Sequence, residues 1–453
     1  MSFQSINPYS QRRIKTYRAD GPAVLERKLK QADQAFADWS RLPLTERVSY
    51  LRQVGNYLST HKQVLGEQIT AEMGKTRKEA EGEIEKCAAS CTFYTDHANA
   101  FLADQVIETD AARSFVTFQP LGPVLAIMPW NFPYWQVFRF AIPALLAGNV
   151  GLLKHAPNVM GCALAIEDVF RQCDLPNGVF QSLLIDVAPV ENLLKDRRIR
   201  AVTLTGSGRA GSSVASIAGR EIKKSVLELG GSDALIVLAD ADLEQAAETA
   251  IKSRMQNAGQ SCIAAKRFIV EKSVKKQFTE LVLHHMGQIR QGDPTDETIT
   301  MGPMARPDLA DSIERQYHAS LAKGARSLIG NMQRSGCNVH PMLLDRIKPG
   351  MVAFDEETFG PLATLIEARD EADAIRLANQ SDFGLGSALW TQDLDRADRL
   401  ARQIQAGSVF VNGLMRSDAR LPFGGIKNSG FGRELSDIGM REFVNVKTVW
   451  VEK

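Results

Sequence analysis

The amino-acid sequence predicts an α/β fold, in which parallel sheets are covered by helices. From residue 124 onward, short β-branched and apolar runs alternate with segments whose apolar residues recur at helical spacing. Because parallel strands need crossover helices, this alternation favours βαβ units. The alternation occurs in two blocks with a boundary near residue 230, and 453 residues suffice for two or three domains.

The first hundred residues are predicted to be helical. Apolar residues recur at helical spacing, among many charges, over Pro22 to Trp39, Thr45 to His61 and Lys62 to Ala98. Two β-prone runs then follow at 106–109 and 114–118, and the polar segment between them predicts a hairpin.

The two alternating blocks give the order of the remaining elements. In the first block, strands are expected at 124–128, 150–154, 180–185 and 201–204, and helices at 134–146, 160–173, 190–195 and after Gly206. In the second, strands are expected at 234–238, 268–270, 362–366, 387–390 and 408–412, and helices at 243–257, 274–289 and 372–379. The carboxyl end could return to the first domain.

Composition and charge disfavour several classes of protein. Lys and Arg total 54 against 53 Asp and Glu, so no basic field suggests nucleic-acid binding. Prolines interrupt the longest uncharged stretch, Ser114 to Phe138, and the amino end has no apolar segment of the secretory type. The six cysteines form no C-x-x-C pair, which disfavours a metal site and a disulfide framework. We therefore expect a cytoplasmic globular protein that binds neither membranes nor nucleic acid.

A glycine-rich turn is the first candidate binding motif. Residues 206–211 spell G-x-G-x-x-G directly after a predicted strand and at the start of a helix. Such glycines let the backbone approach a phosphate, and a helix amino terminus favours its negative charge. No acidic residue follows about 20 residues later, as dinucleotide sites usually have. A glycine turn without a ligand therefore remains an alternative.

Cys262 is the candidate nucleophile, because it ends the polar turn 257–261 at a loop-to-strand junction. Glu228 ends a predicted strand, and Asn131 follows the first core strand. A thiolate that attacks a carbonyl needs oxyanion donors, which an Asn amide can supply, and later a base for water. Taken singly, Glu228 could be an ordinary strand-end carboxylate and Asn131 a turn former. The other cysteines are expected to be small core residues.

With these residues in place, the chain resembles the aldehyde dehydrogenase superfamily. The likeness runs from Glu72-Met73-Gly74-Lys75 to the last strand. Further matching segments are 143–149, 292–294 followed by 302–303, 357–361, 379–385 and 422–430. The resemblance implies that Cys262 is the nucleophile, that Asn131 and the Cys262 backbone N–H form the oxyanion hole, and that Glu228 activates the hydrolytic water.

The resemblance also implies NAD or NADP as cofactor and no metal. Lys154 would bind the adenosine ribose, Ser207 and its glycine turn the pyrophosphate, and Glu357 the nicotinamide ribose. The other cofactor-binding residues implied are Met128, Trp130, Ala156, Gly206, Leu229, Gly230 and Phe359.

The implied architecture has three parts. A Rossmann-type NAD(P)-binding domain would comprise residues 1–105 and 121–230, and an α/β catalytic domain residues 231–430. A small β oligomerisation element would comprise residues 106–120 and 431–453. As is general in the family, a homodimer or homotetramer is expected, with a small-molecule aldehyde as substrate.

Two departures from the family pattern concern the cofactor. The family commonly has Lys-Pro-Ser/Ala-Glu where this chain has Lys154-His155-Ala156-Pro157, and Thr where it has Gly208. The first departure removes a carboxylate that would repel a 2′-phosphate. NADP should therefore be tolerated alongside NAD.

The substrate prediction rests on Arg139, eight residues after Asn131 within an apolar run. A charge there should be paired or face a cleft. Succinate-semialdehyde dehydrogenases resemble this pattern, and they often carry a second Arg where this chain has Gln256. Ser417 could supply the missing contact. Succinate semialdehyde is therefore the predicted substrate, with Arg139 as a carboxylate clamp; a structural ion pair is the alternative for Arg139.

Other functions remain open at this point. Glutarate semialdehyde and lactaldehyde are alternative substrates. A coenzyme-A-acylating enzyme or a reductase is disfavoured, because such relatives typically lack the base that Glu228 supplies. A non-catalytic binding protein on this fold would be expected to have lost Cys262, which is present.

Overall fold

The computed structural model describes residues 2–332 and 334–453. These residues form two large, mainly parallel sheets with helices around them, and smaller antiparallel sheets. The predicted α/β class is confirmed.

The first large sheet has six strands, and its only antiparallel pair in the described residues is at one edge. In spatial order the strands are Gly430–Phe431, Lys224–Glu228, Ala201–Thr205, Pro123–Met128, Val150–His155 and Phe180–Ser182. The chain order reverses between Ala201–Thr205 and Pro123–Met128. Clefts for ligands form at such switch points, beyond the carboxyl ends of the strands.

One continuous apolar core joins this sheet to its helices. Those helices are Pro22–Trp39, Leu44–Thr60, Lys62–Met73, Arg77–Leu102, Trp135–Leu146, Met160–Gln172, Val190–Lys195 and Gly208–Arg220, with a 3₁₀ turn at Pro157–Val159.

The second large sheet has seven strands with an apolar core on each face. In spatial order they are Arg326–Ile329, Met342–Asp345, Leu362–Ala368, Arg267–Glu271, Ala234–Val237, Gly386–Trp390 and Ser408–Val411. The surrounding helices are Leu243–Met255, Lys275–Gly287, Pro307–Ala322, Val352–Asp355, Glu371–Asn379 and Leu394–Ala401, with a 3₁₀ turn at Gln256–Gly259.

A third, antiparallel sheet joins the hairpin to the carboxyl end of the chain. Val444–Val451 pairs with Arg113–Pro120 along its whole length, and Gln105–Val106 pairs with the other edge. Smaller pairs are Ser2–Ile6 with Arg13–Arg18, Arg334–Ser335 with Asn338–Val339, and Phe383–Gly384 with Ile426–Lys427, and a short helix spans Ser436–Met440.

Two expectations about the amino-terminal region are wrong. Residues 2–18 form an antiparallel strand pair rather than helix. The segment Lys62 to Ala98 is two helices, because Gly74 adopts a left-handed φ of 90° and ends the first one. Thr76 and Glu79 then form a capping box that starts the second helix.

Within the described part of the chain, no helix is long and apolar enough to cross a membrane. The same residues contain no cluster of three or more His, Cys, Asp or Glu side chains that could hold a metal ion.

Candidate active site

Three of the predicted site residues lie at the carboxyl edge of the first large sheet. Asn131 follows Pro123–Met128, Gly206 follows Ala201–Thr205, and Glu228 is the last residue of Lys224–Glu228. The Gly206 N–H donates to the Glu228 carbonyl at 3.0 Å, which ties the glycine turn to the neighbouring strand end. Sheet topology therefore brings together residues that are up to 97 positions apart in the chain, from Asn131 to Glu228.

Asn131 is fixed against the loop that carries Cys262. Its Nδ2 donates to the Gln260 carbonyl at 3.1 Å, and Asn257 Nδ2 donates to the Asn131 carbonyl at 2.8 Å. The Gln260 side chain donates back to the Asn257 carbonyl at 3.0 Å. These buried amides orient the Asn131 side chain beside the segment that leads to the thiol.

The turn before Cys262 has an unusual backbone. Asn257, Ala258 and Gly259 are consecutively left-handed, with φ of 55°, 51° and 74°. A Cβ on Gly259 would collide with the Gly360 carbonyl, so glycine is required there. Sparsely populated conformations of this kind persist only where surrounding contacts enforce them. Here they set the direction in which the chain enters Cys262.

All six cysteines lie in the described residues; five are buried and Cys262 is half-buried. Burial raises the pKa of the Cys262 thiol to about 12, against the opposing charges of Arg139 and Lys266. Lys266 Nζ donates to the backbone carbonyls of Ser261 at 3.0 Å and Cys262 at 2.6 Å. With a pKa of about 12 the thiol is protonated at neutral pH, and the charges of Arg139 and Lys266 favour its ionisation.

Glu228 is a buried carboxylate, and one of its two oxygens forms no hydrogen bond with the described residues. Its Oε1 has no hydrogen-bond partner among the described residues, and a Cβ on Gly424 would lie 2.7 Å from that atom. The pKa of Glu228 is raised well above its ordinary value, mainly by burial and next by the nearby charge of Glu434. A carboxyl group of this kind can hold a proton near neutral pH, as general acid–base catalysis requires.

Arg139 forms a buried ion pair with Glu434, and its Nη2 donates to Thr205 Oγ1 at 3.2 Å. Its contacts therefore agree with the ion-pair alternative. Arg139 also lines the same cavity as Cys262, and its charge opposes the rise in pKa that burial causes at Cys262 and Glu228. The clamp role stays a prediction.

A cavity of about 130 Å³ opens beside Cys262. Arg139 and Ser417 both line it, so two predicted substrate residues and the candidate nucleophile share one space. Three of the lining residues are cationic and, among the described residues, none is Asp or Glu. The lining residues are Lys86, Phe132, Trp135, Gln136, Arg139, Gln256, Ser261, Cys262, Ile263, Leu414, Met415, Arg416, Ser417 and Phe423.

The glycine turn at residues 206–211 fits a phosphate-bearing cofactor. Ser207 caps the 13-residue helix Gly208–Arg220 by accepting from the Ala210 N–H. A Cβ on Gly208 would meet nothing within 4 Å, so the helix amino terminus is open. Lys154 is buried, which lowers the pKa of its ammonium group, and it forms no ion pair with a described carboxylate. An open helix terminus and an unpaired buried cation suit a dinucleotide.

The candidate nicotinamide end is shaped by Glu357. Its Oε1 accepts from the Gly231 N–H at 3.1 Å and lies 3.6 Å from Lys266 Nζ. Trp130 and Phe359 meet edge to face, with ring centroids 5.8 Å apart. Of the remaining predicted cofactor residues, Met128, Ala156, Leu229 and Gly230 are buried, and Leu229 fills the space above Gly211.

His155, one of the departures from the family pattern, has a structural role. Burial lowers its pKa to about 4, so the ring is neutral. The Ala156 N–H donates to Nδ1 at 2.9 Å, which leaves Nε2–H to donate to the Pro133 carbonyl at 2.9 Å. His155 therefore ties the strand Val150–His155 to the turn after Asn131.

Sequence reasoning missed several residues that shape the site. Lys266 and Glu434 come from segments that carried no recognised motif. Glu83 accepts from the Tyr134 and Trp135 N–H groups at 2.8 and 2.9 Å, and so caps the helix after Asn131. The pair Lys75–Glu83 is fully buried. The only signal in the sequence for these residues was the family-like segment Glu72-Met73-Gly74-Lys75, which contains the ion-pair partner of Glu83.

Comparison with known proteins gives a consistent result. The model of the aldehyde dehydrogenase family matches residues 1–449. A probable succinate-semialdehyde dehydrogenase [NADP(+)] of Synechocystis is 47% identical over 453 residues, covering 100% of both chains. A succinate semialdehyde dehydrogenase [NAD(P)+] of Escherichia coli is 45% identical, covering 99% of this chain and 98% of the relative.

Solved structures agree with this. The structure of succinic semialdehyde dehydrogenase from Streptococcus pyogenes, in complex with NADP+, superposes with a TM-score of 0.98 at 34% identity and covers 100% of both chains. With a full-length family match and relatives above 40% identity, the resemblance inferred from the sequence is confirmed. The chain belongs to the aldehyde dehydrogenase family.

Proposed function

We propose that this protein oxidises succinate semialdehyde to succinate with NADP+ or NAD+ by covalent catalysis at Cys262. The observation that carries the proposal is the cavity beside the thiol, whose lining contains three cations and no described carboxylate. A small aldehyde with a carboxylate at its other end matches that charge pattern. The two relatives from Synechocystis and Escherichia coli, both named for this substrate, support it.

The reaction begins with the thiol. Cys262 Sγ attacks the aldehyde carbon as a thiolate, its proton having passed to solvent, and the charges of Arg139 and Lys266 favour this ionisation. The carbonyl oxygen becomes an oxyanion, to which Asn131 Nδ2 and the Cys262 backbone N–H donate. For that, Asn131 Nδ2 turns part of its hydrogen bonding from Gln260 to the substrate.

The cofactor would be held by Lys154 at its adenosine ribose, by Ser207 and Gly206 at its pyrophosphate and by Glu357 at its nicotinamide ribose. The Trp130 and Phe359 rings would line its cleft. When bound, the nicotinamide supplies the hydride acceptor that converts the Cys262 thiohemiacetal to a thioester. The missing carboxylate at Pro157 supports use of NADP as well as NAD.

Hydrolysis returns the enzyme to its starting state. Glu228 takes a proton from a water molecule, and the resulting hydroxide attacks the Cys262 thioester. The C–S bond breaks to release the acid, and the proton on Glu228 passes to the departing Cys262 thiolate. Burial of Glu228 keeps this proton transfer away from bulk solvent. This step separates the proposal from a coenzyme-A-acylating reaction, in which a thiol would replace water.

Arg139 and Ser417 are proposed to act at the substrate's carboxylate end. Arg139 lines the cavity wall and is held there by its ion pair with Glu434, which balances part of its charge. Glutarate semialdehyde, one methylene longer, is the next candidate, and uncharged lactaldehyde would gain nothing from the cations.

The remaining assignments extend the proposal to the whole protein. Residues 1–105 with 121–230 would bind the cofactor, and residues 231–430 would carry Cys262. Residues 106–120 with 431–453 would assemble a homodimer or homotetramer; the exposed side chains Val106, Val446 and Trp450 of the third sheet support this. The balanced charge and scattered cysteines support a cytoplasmic location.

The test is an absorbance assay of cofactor reduction. We expect a higher kcat/KM for succinate semialdehyde than for butyraldehyde, activity with both NADP+ and NAD+, and no requirement for coenzyme A. A preference for butyraldehyde would contradict the proposed substrate, and a requirement for coenzyme A would contradict the hydrolytic step.

A further inference from the structure

Lys86 is a cation in the Cys262 cavity that the mechanism above does not use. It lies on the helix Arg77–Leu102, outside the motif segments on which the family resemblance rests, and it lines the cavity wall. Nζ lies 4.1 Å from the centroid of the Trp135 ring and donates to Ser417 Oγ at 2.7 Å. No described carboxylate lies within ion-pair distance of it.

The surroundings of Lys86 offer hydrogen-bond donors and, in the described cavity lining, no carboxylate. Trp135 Nε1 also donates to Ser417 Oγ, at 3.1 Å. Because a hydroxyl accepts two hydrogen bonds and donates one, the Ser417 O–H remains free to donate. Lys86 keeps N–H donors of its own. An incoming group that only accepts hydrogen bonds, as a carboxylate does, would complete this cluster.

The other cations of the cavity differ from Lys86. Arg139 already has an ion-pair partner in Glu434, and Arg416 is exposed to solvent. Asp418, the carboxylate next to Ser417, is engaged by Arg420 at 2.7 and 2.8 Å. Lys86 is therefore the half-buried cation whose charge is available to a ligand.

We propose that the Lys86 ammonium group, together with the Ser417 hydroxyl, binds the distal carboxylate of the substrate. This inference rests on the proposed function and names the contact that selects ω-carboxylate aldehydes. A cation in this partly desolvated place interacts more strongly with an anion than a surface lysine does. Lys86 thus acts on substrate choice, whereas Cys262 and Glu228 carry out the bond changes.

The selection should depend on pH. Burial first, and Arg139 second, lower the pKa of Lys86 to about 8, so the ammonium form predominates at pH 7 and is lost above pH 8. A substrate carboxylate stays ionised over this whole range. The preference for succinate semialdehyde should therefore fall as pH rises through 8. The other titratable or charged groups that face Lys86 or share its cavity are Glu83, Cys87, Arg139, Cys262, Arg416 and Asp418.

The experiment compares two aldehydes in matched variants. The quantity is the ratio of kcat/KM for succinate semialdehyde to that for butyraldehyde, in which ionisation of Cys262 and Glu228 cancels. Lys86→Met should lower this ratio about 10–150-fold, as expected for loss of one charge-assisted contact. Lys86→Arg should retain most of it. Lys78→Met, an exposed lysine of the same helix, is the control and should leave the ratio unchanged.

Two further readouts define failure. The wild-type ratio should fall between pH 7 and 9.5 while that of Lys86→Met stays flat, and succinate should inhibit the wild type at lower concentration than Lys86→Met. If the wild type prefers succinate semialdehyde and Lys86→Met keeps that preference, this inference alone is overturned. A wild type without any preference overturns the proposed substrate, and this inference with it.

Discussion

Two cation–carboxylate pairs lie near Cys262, one beside each large sheet, and they use their cations differently. On the side of the first sheet, Arg139 pairs with Glu434, next to the base Glu228. On the side of the second sheet, Lys266 lies 3.6 Å from Glu357 and donates mainly to backbone carbonyls of the Cys262 loop. Arg139 therefore acts mainly on the charges of Glu434 and Glu228. Lys266 acts mainly on the position of the backbone around Cys262.

The difference follows from the chemistry of the two side chains. A guanidinium is planar and always charged, and it suits a fixed carboxylate. An ammonium group is compact and can donate in three directions, so Lys266 can reach Ser261, Cys262 and Glu357 together. We infer that the Arg139 side sets protonation at the base, whereas the Lys266 side sets the geometry of nucleophile and cofactor.

The largest effect is expected at the group between the two pairs. Cys262→Ala should abolish aldehyde oxidation, because no other described cysteine is placed between an oxyanion donor and a base. The assay is cofactor reduction, with Cys173→Ala and Cys337→Ala as controls. Activity in Cys262→Ala, or its loss in either control alone, would contradict the assignment.

The base comes next. Glu228→Gln should slow turnover about 10²–10⁴-fold, because deacylation loses its general base. A burst of reduced cofactor should precede the slow phase if Cys262 still ionises. Glu221→Gln, an exposed carboxylate before the same strand, is the matched control. Wild-type turnover in Glu228→Gln would remove Glu228 from the mechanism.

Arg139→Ala tests the first pair. It removes positive charge from the cavity and leaves Glu434 buried and unpaired near Glu228, so kcat/KM for succinate semialdehyde should fall about 10–150-fold. Butyraldehyde oxidation should fall by less, and Arg139→Lys should be intermediate. An equal loss with both aldehydes would remove Arg139 from the substrate-binding set and leave it as the partner of Glu434.

Lys266→Met tests the second pair. Loss of the donor to the Cys262 loop and of the charge beside Glu357 should lower kcat about tenfold and raise KM for the cofactor, equally for both aldehydes. Lys272→Met, an exposed lysine directly after the strand Arg267–Glu271, is the control. A change in aldehyde preference, without a change in the KM for the cofactor, would contradict the inference that Lys266 sets the geometry of nucleophile and cofactor.

The smallest effect concerns the cofactor. Pro157→Glu should lower kcat/KM with NADP+ several-fold relative to NAD+, because the new carboxylate repels the 2′-phosphate. Pro157→Gln changes the loop similarly without adding charge and separates the two causes. If the wild type accepts NAD+ alone, the argument from the missing carboxylate is wrong.

The sequence predicted the parts of the fold that have strong local signals. Alternation located Pro123–Met128 and Val150–His155 within one residue at each end, because buried strands are short and apolar and their helices are amphipathic. It missed Ser2–Ile6 and Arg13–Arg18, whose burial patterns are mostly exposed and whose pairing depends on each other. It also joined two helices that Gly74 separates.

The site shows the same limit. Cys262, Asn131 and Glu228 lie in distinctive short motifs, so the sequence could name them. Lys86 and Glu434 reach the site only because a long helix and the carboxyl-terminal segment fold back over the first sheet. Their positions depend on tertiary packing, for which a single sequence has no local signal.

The most direct test of covalent oxidation at Cys262 is to trap its product. Glu228→Gln is mixed with succinate semialdehyde and NADP+, quenched in acid, and analysed by mass spectrometry of its peptides. We expect a succinyl group on the peptide that contains Cys262, in an amount equal to the burst of reduced cofactor. A burst without an adduct, or an adduct on a different cysteine, would contradict it.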